Sequence, residues 1–234
     1  MEIVDLRLLV AGATGVLGGA AAALAAERGA HVVPAGREPH RLDQVASQLG
    51  SPPGLRFDAY DLEGCAGLAA LAADRLGGLD AVLVAFGTVA FGHAEATSAD
   101  IEEHLMAVNT LAPMAVLRGA LAAIGPGGAI GAITGVIVDR PVKGMAPYRA
   151  SKAALSAWLG AVRTEQRRNG ISVLDARLPH LDTGLVDRAV AGTPPPLPPG
   201  ADLPAWVAAL VQGLISGAAL LAPDPAGGTP TLPH

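Results

Sequence analysis

From Gly12 to Gly19 the chain reads Gly-Ala-Thr-Gly-Val-Leu-Gly-Gly, and the residues on either side of this run leave few folds open. A short apolar run, Leu6 to Val10, leads into the glycines. Ala20 to Arg28 follows with helical composition, Gly29 stops it, and a second apolar run covers His31 to Ala35. Strand, turn, helix and strand within about thirty residues make a βαβ unit, whose strands lie parallel. Glycines at such a turn permit a sharp bend and leave the helix's first N–H groups open to an anion such as a pyrophosphate.

The alternation continues down the chain. Helices are predicted over Arg41 to Leu49, Cys65 to Leu76, Ala99 to Ala123, Pro147 to Arg168 and Ala205 to Ser216. Strands are predicted over Leu55 to Tyr60, Ala81 to Ala85, Ala129 to Thr134, Ile171 to Ala176 and Leu220 to Ala222. Pro113 falls inside the longest helix and should bend it or mark an adjusted turn. Ala191 to Pro204 is dense in Pro and Gly and reads as a loop, and the tail from Pro223 to His234 as irregular chain. Strands alternating with helices imply a single-domain α/β Rossmann fold, a doubly wound parallel sheet with helices on both faces, spanning residues 1–234.

Composition narrows the partners. Net charge is -5 and no Lys/Arg run occurs, which argues against nucleic acid. Only 16% of residues are charged, which leaves apolar surface and points to self-association. The uncharged stretch Leu8 to Ala26 is long enough to cross a bilayer, but its glycines and alanines argue against a membrane span. Cys65 is the one cysteine, so no internal disulfide can form; the sequence has no zinc-type Cys/His spacing either, and no metal site is expected. A reducing, cytoplasmic setting fits.

Two further patterns carry chemistry. In sheets of this type, an acid at the end of the second strand hydrogen-bonds an adenine ribose 2′-hydroxyl and repels a 2′-phosphate. Here the residues are Ala35-Gly36-Arg37: no acid, and a guanidinium able to fork onto phosphate, which favours NADP(H) over NAD(H). Tyr148-Arg149-Ala150-Ser151-Lys152 places a phenol and an ammonium four residues apart on one helix face. A nearby ammonium favours the phenolate, so Tyr148 is expected to exchange a proton nearer neutral pH.

The glycine turn, the YxxxK pair and their order along the chain resemble the short-chain dehydrogenase/reductase family, from about Leu6 to Leu185. The resemblance implies that Gly12, Thr14, Gly15, Val16, Leu17 and Gly18 cradle the dinucleotide. It implies that Asp61 and Leu62 contact adenine, that Gly87 shapes the cofactor site, and that Thr183 touches the nicotinamide amide. Tyr148 becomes the acid/base, Lys152 its electrostatic partner and ribose contact, and Asn109 in Val108-Asn109-Thr110 a proton relay. The long helices Ala99 to Ala123 and Pro147 to Arg168 become the interface of a homodimer or homotetramer. Residues 185–216 become the variable substrate region, where Leu185, Val186, Leu197 and Trp206 point to an apolar carbonyl or alcohol.

The sequence also departs from the family. Its glycines fall as GxxGxxG, and the fourth-strand motif is reduced to Val84-Ala85-Phe86-Gly87. Gly135 stands where the family's catalytic serine ends the fifth strand, and His180 replaces a glycine after Pro179. Thr134 is adjacent to Gly135, but strand side chains alternate faces, so its hydroxyl reaches the substrate only if the strand end twists. Thr134 and His180 are the candidates for the missing donor. Three readings follow: an NADP(H)-dependent carbonyl reductase or alcohol dehydrogenase; a dinucleotide-binding sensor, scaffold or non-redox protein; and a sulfonium-dependent methyltransferase, against which Gly36-Arg37 speaks.

Overall fold

The computed structural model describes residues 1–224 and 228–232. Among these, eight strands join one sheet in the order β3-β2-β1-β4-β5-β6-β7-β8. They are β1 (Arg7–Ala11), β2 (His31–Gly36), β3 (Leu55–Arg56), β4 (Ala81–Val84), β5 (Ala129–Ile133), β6 (Ser172–Ala176), β7 (Leu220–Pro223) and β8 (Pro230–Thr231). The first seven run parallel, and only β8 is antiparallel. A sheet covered on both faces needs apolar residues on both, which is why β1 and β4 are apolar at nearly every position rather than alternating.

The two faces are two cores. Leu9 and Ala11 of β1 face α3 (Leu62–Leu76), α5 (Ala112–Ala123) and α6 (Ala146–Gln166), meeting Leu68, Val116, Leu117, Leu155 and Leu159. Leu8 and Val10 face α1 (Val16–Glu27), α2 (Pro39–Leu49) and α7 (Leu203–Ser216), meeting Ala21, Ala22, Ala25, Trp206 and Leu210. The alanines of α1 let that helix lie close to the sheet. The stretch Leu8 to Ala26 is therefore β1, a turn and α1. The helix running from residue 99 to 123 is long and apolar enough to cross a membrane, yet half of its most apolar window is buried inside the structure.

Several boundaries differ from the sequence expectation, each for a local reason. Strand β3 stops at Arg56 because the Asp58 carboxylate accepts the Tyr60 N–H at 3.0 Å and turns the chain. Helix α1 begins at Val16, inside the glycine run, because Gly15 is its N-cap. The predicted helix Ala99 to Ala123 is α4 (Ala99–Met106), a π-helical turn (Ala107–Leu111) and α5. Pro113 has no N–H to offer the carbonyl of Asn109 four residues earlier, so the ladder widens by one residue there. The expected irregular tail carries β8, which pairs Ala222 with Thr231; the remainder of that expectation, residues 225–227 and 233–234, lies outside the described residues.

Strands β1 and β4 are neighbours in the sheet, while the chain leaves them toward opposite edges. This is the switch point, where a crevice opens beyond the strands' carboxyl ends.

Candidate active site

Three sequence-predicted groups meet at that end of the sheet. The first is the glycine turn after β1. Gly12 has φ +97°, and a Cβ there would lie 2.7 Å from the Phe86 backbone N; a Cβ on Gly18 would lie 2.4 Å from the Gly12 carbonyl oxygen. The turn is closed by Gly12 and Ala13 N–H groups donating to the Ala35 carbonyl, and by Gly15 donating to Gly12. Carboxylates of Glu38, Asp61 and Asp202 cap α2, α3 and α7, whereas no side chain caps α1 and no acid stands in its first turn. The helix amino terminus is thus left with open donors and unopposed partial positive charge. Thr14 and Leu17 are half-buried at this turn and Val16 is exposed.

The second group lies at the ends of β2 and β3. Arg37 is exposed and makes no hydrogen bond or ion pair among the described residues. Gly36 pairs in register with Arg56, so a second exposed arginine stands at the same strand end. Sequence reasoning passed over Arg56, since only strand pairing brings it there. Asp61 accepts the Gly64 N–H at 2.9 Å and starts α3, with Leu62 partly exposed after it. Cys65 is buried in the same helix, and burial, with Asp61 and Asp58, pushes its thiol up to about 11, which makes it a poor nucleophile.

The third group is carried by α6. Tyr148 and Lys152 are both buried, at 9% and 6% exposure. The Lys152 ammonium donates to the Ile133 carbonyl at the end of β5, at 3.0 Å. Burial lowers Lys152 to about 8, while the Asp175 carboxylate acts in the opposite direction. Burial pushes Tyr148 up to about 12. The expectation that Lys152 draws the phenol toward neutrality is therefore corrected: desolvation is the cause acting on Tyr148, and the ammonium is held by the strand end instead. A Cβ on Gly87 would lie 2.9 Å from Asn109 Oδ1 and 3.1 Å from Lys152 Nζ, so the bare glycine lets these two groups approach the loop after β4.

Asn109 is fully buried in the π turn. Its Oδ1 accepts the Thr88 N–H at 2.8 Å, and its Nδ2 donates to the Thr88 carbonyl at 2.9 Å and to Ser151 Oγ at 3.0 Å. The side chain thus pins the loop after β4 to α6, between Tyr148 and Lys152 in sequence.

At the end of β5 the placement differs from expectation. The Thr134 hydroxyl donates to the Asp175 carboxylate on β6, and Thr134 is 1% exposed. Its one proton is committed there, so Thr134 is not the replacement donor. Gly135 has φ +93° and ψ 155°, a region essentially confined to glycine. The N–H groups of Thr134 and Gly135 both donate to the Ala176 carbonyl, which bends the strand end. His180 Nε2 lies 3.2 Å from Asp182 Oδ1. Thr183 is half-buried, and its hydroxyl has no partner among the described residues.

A small apolar cluster surrounds Tyr148: Val89, Phe91, Leu105, Ile137 and Met145, with Leu185 and Val186 packed against it. Trp206, expected near the substrate, is instead 1% exposed in the core under α7, and Leu197 joins no cluster. A cavity at the opposite, amino-terminal end of the strands is lined by Arg7 and Asp80, which satisfy each other through a two-point ion pair, and it holds none of these groups. Among the described residues, no cluster of His, Cys, Asp and Glu could hold a metal ion.

Topology, glycine turn and uncapped first helix together define a Rossmann-type α/β protein. More narrowly, the sequence matches the short chain dehydrogenase family over residues 7–193, and the chain belongs to that family of oxidoreductases. Its fold is similar to that of a dehydrogenase/reductase from Sinorhizobium meliloti, at 24% identity and a TM-score of 0.80, with 94% of each chain covered. It is similar also to a short chain dehydrogenase from Burkholderia cenocepacia in complex with NADP, at 24% identity and a TM-score of 0.77, covering 90% of this chain and 92% of that one. Comparison with curated proteins returns no match.

Proposed function

We propose that the chain is an NADP(H)-dependent oxidoreductase that interconverts a small carbonyl compound and its alcohol. The observation that carries this reading is the buried Tyr148–Lys152 pair at the same end of the sheet as the uncapped glycine turn. The residues present fit a dinucleotide: open N–H donors of α1 for the pyrophosphate, and exposed Arg37 for a 2′-phosphate. Gly12, Thr14, Gly15, Val16, Leu17 and Gly18 would hold the pyrophosphate side, Asp61 and Leu62 the adenine, and Gly87, Lys152 and Thr183 the nicotinamide side. A bound nicotinamide supplies or accepts a hydride at its C4. The Burkholderia structure holding NADP is consistent with the cofactor choice.

Tyr148 holds its proton throughout the neutral range, because burial keeps its phenol near 12. It is thus poised as a general acid toward a carbonyl oxygen. Lys152 is charged at neutral pH, and its ammonium favours negative charge developing on that oxygen. Asn109 holds the loop that carries Gly87 against both. Leu185, Val186, Ile137 and Met145 give the site an apolar wall, which favours an apolar substrate. Exposed Met106 and Leu111 on the long helix are apolar surface that a second copy would cover.

A second reading has its own observation. No hydroxyl stands at Gly135, and that of Thr134 is committed to Asp175. Losing an oxyanion donor costs about 3 kcal/mol, or a hundredfold or more in rate. His180, whose Nε2 lies against Asp182, is the remaining candidate donor from the sequence. Without one, the chain is a slower reductase or, where hydride transfer is lost altogether, a dinucleotide-binding protein with a sensor, scaffold or other non-redox role. NADPH oxidation, followed by absorbance against a panel of ketones, aldehydes and quinones, decides between them. Turnover lost in Tyr148→Phe supports the oxidoreductase; NADPH binding without turnover across the panel favours the second reading.

A further inference from the structure

The buried charge that the site does not itself use is Asp175. It sits in β6 between Leu174 and Ala176, at 3% exposure. A buried carboxylate is expensive unless paired and hydrogen-bonded, and this one is fully engaged. It accepts the Thr134 hydroxyl on one oxygen. The other accepts the Ser156 hydroxyl at 2.7 Å and the Arg177 Nε–H at 3.0 Å. Arg177 donates onward to Asp139 at 2.6 Å and to Ser156 Oγ at 3.1 Å.

The partners of Asp175 are the two supports of Lys152. Thr134 follows Ile133, whose carbonyl holds the Lys152 ammonium. Ser156 stands four residues after Lys152 on α6, one turn along the same face. One carboxylate therefore ties the strand end that accepts from Lys152 to the helix that carries it. We propose that Asp175 is a positioning residue for Lys152, clamping β5 to α6 around it and supplying the counter-charge behind it. The importance of Lys152 rests on the function proposed above, but the clamp can be tested without it.

Asp175 on β6 is the charged group that acts on the Lys152 ammonium. Tyr148 lies one turn before Lys152 on α6, and Arg177, just beyond β6, bonds Asp175 and Asp139 and not Lys152. The α4–α5 side contributes the neutral Asn109. Arg163 donates to the Val173 and Ala219 carbonyls. Burial opposes the ammonium and Asp175 favours it. Removing the Asp175 charge should make Lys152 lose its proton more easily.

The sequence contains only two lysines, Lys143 and Lys152. Side-chain 13C-labelled lysine therefore gives two signals, assigned with Lys143→Arg, and exposed Lys143 is an internal control. In Asp175→Asn, which keeps the side-chain volume, the Lys152 midpoint is expected to fall by about one pH unit, a tenfold change in the protonation ratio, with Lys143 unmoved. In Thr134→Val, which removes the bond tying Asp175 to the strand end beside Ile133, it is expected to move as well. A folded Asp175→Asn whose Lys152 midpoint stays put, with only stability lost, overturns the proposal. If Asp175→Asn does not fold, Thr134→Val decides alone: a moved Lys152 midpoint supports the clamp and no change refutes it. Neither titration needs cofactor or substrate, so failure of the oxidoreductase reading would show separately, as missing turnover.

Discussion

Replacing Gly135 with alanine should destabilise the protein although the site has room for the added methyl. The nearest atom to a Cβ there is the Leu178 carbonyl oxygen at 3.7 Å, an ordinary contact. The cost comes from the backbone, at φ +93° and ψ 155°, which the paired N–H bonds to Ala176 impose. A non-glycine residue in that region costs about 1–3 kcal/mol. In a chain of this size each kcal/mol moves Tm by roughly 2–4 °C, so Gly135→Ala should melt about 2–12 °C lower. Gly67→Ala is the control. Gly67 lies in α3 with nothing within 4 Å of its would-be Cβ, and the change should stabilise by about 0.5–1 kcal/mol. Thermal and urea unfolding of both variants would show opposite signs. A Gly135→Ala protein as stable as the parent would refute the backbone argument. The same strain applies to Gly135→Ser, so restoring the family's serine should not by itself restore a well-placed hydroxyl.

Lys152→Met should stabilise the protein at neutral pH while abolishing activity. Burial carries Lys152 from 10.5 down to about 8, which corresponds to about 3 kcal/mol. Below about pH 8 both folded and unfolded chains hold the proton, so the cost is fully present. From there to about 10 the folded chain sheds its proton first and stability rises with pH. Above about 10 Tyr148 opposes this, because the unfolded phenol ionises first. The parent should thus gain stability between about pH 8 and 10 and Lys152→Met should not; identical pH profiles would contradict the reading. Asn109→Ala leaves the Thr88 N–H without its acceptor and removes one donor from Ser151 Oγ, which keeps its bond to the Tyr148 carbonyl, and should cost about 1–3 kcal/mol in urea unfolding, with no loss if the loop is held otherwise.

How much of this was legible in the sequence follows from how local each feature is. The βαβ start, the glycine turn and the Tyr148–Lys152 spacing are set within a few residues, and the structure brings them to one end of the sheet. Apolar runs located the strands because a doubly wound sheet buries both faces. The Asp175 cluster was not legible, because β5, α6 and β6 contribute to it from residues 134 to 177. Its one sequence signal is an acid inside an apolar strand. The family resemblance puts Trp206 in the substrate region, yet α7 turns it into the core. The burial of Tyr148 outweighs the charge of Lys152, and helix spacing carries no information about desolvation. The positive φ of Gly135 likewise arises from pairing across to Ala176, not from its neighbours in sequence.

The most direct test is a fluorescence titration of the folded protein with NADPH and with NADH. Both should bind saturably, NADPH more tightly, with Arg37→Ala removing most of that preference while leaving NADH binding intact. A folded protein that binds neither dinucleotide would contradict the assignment of the glycine turn, and with it the proposed function.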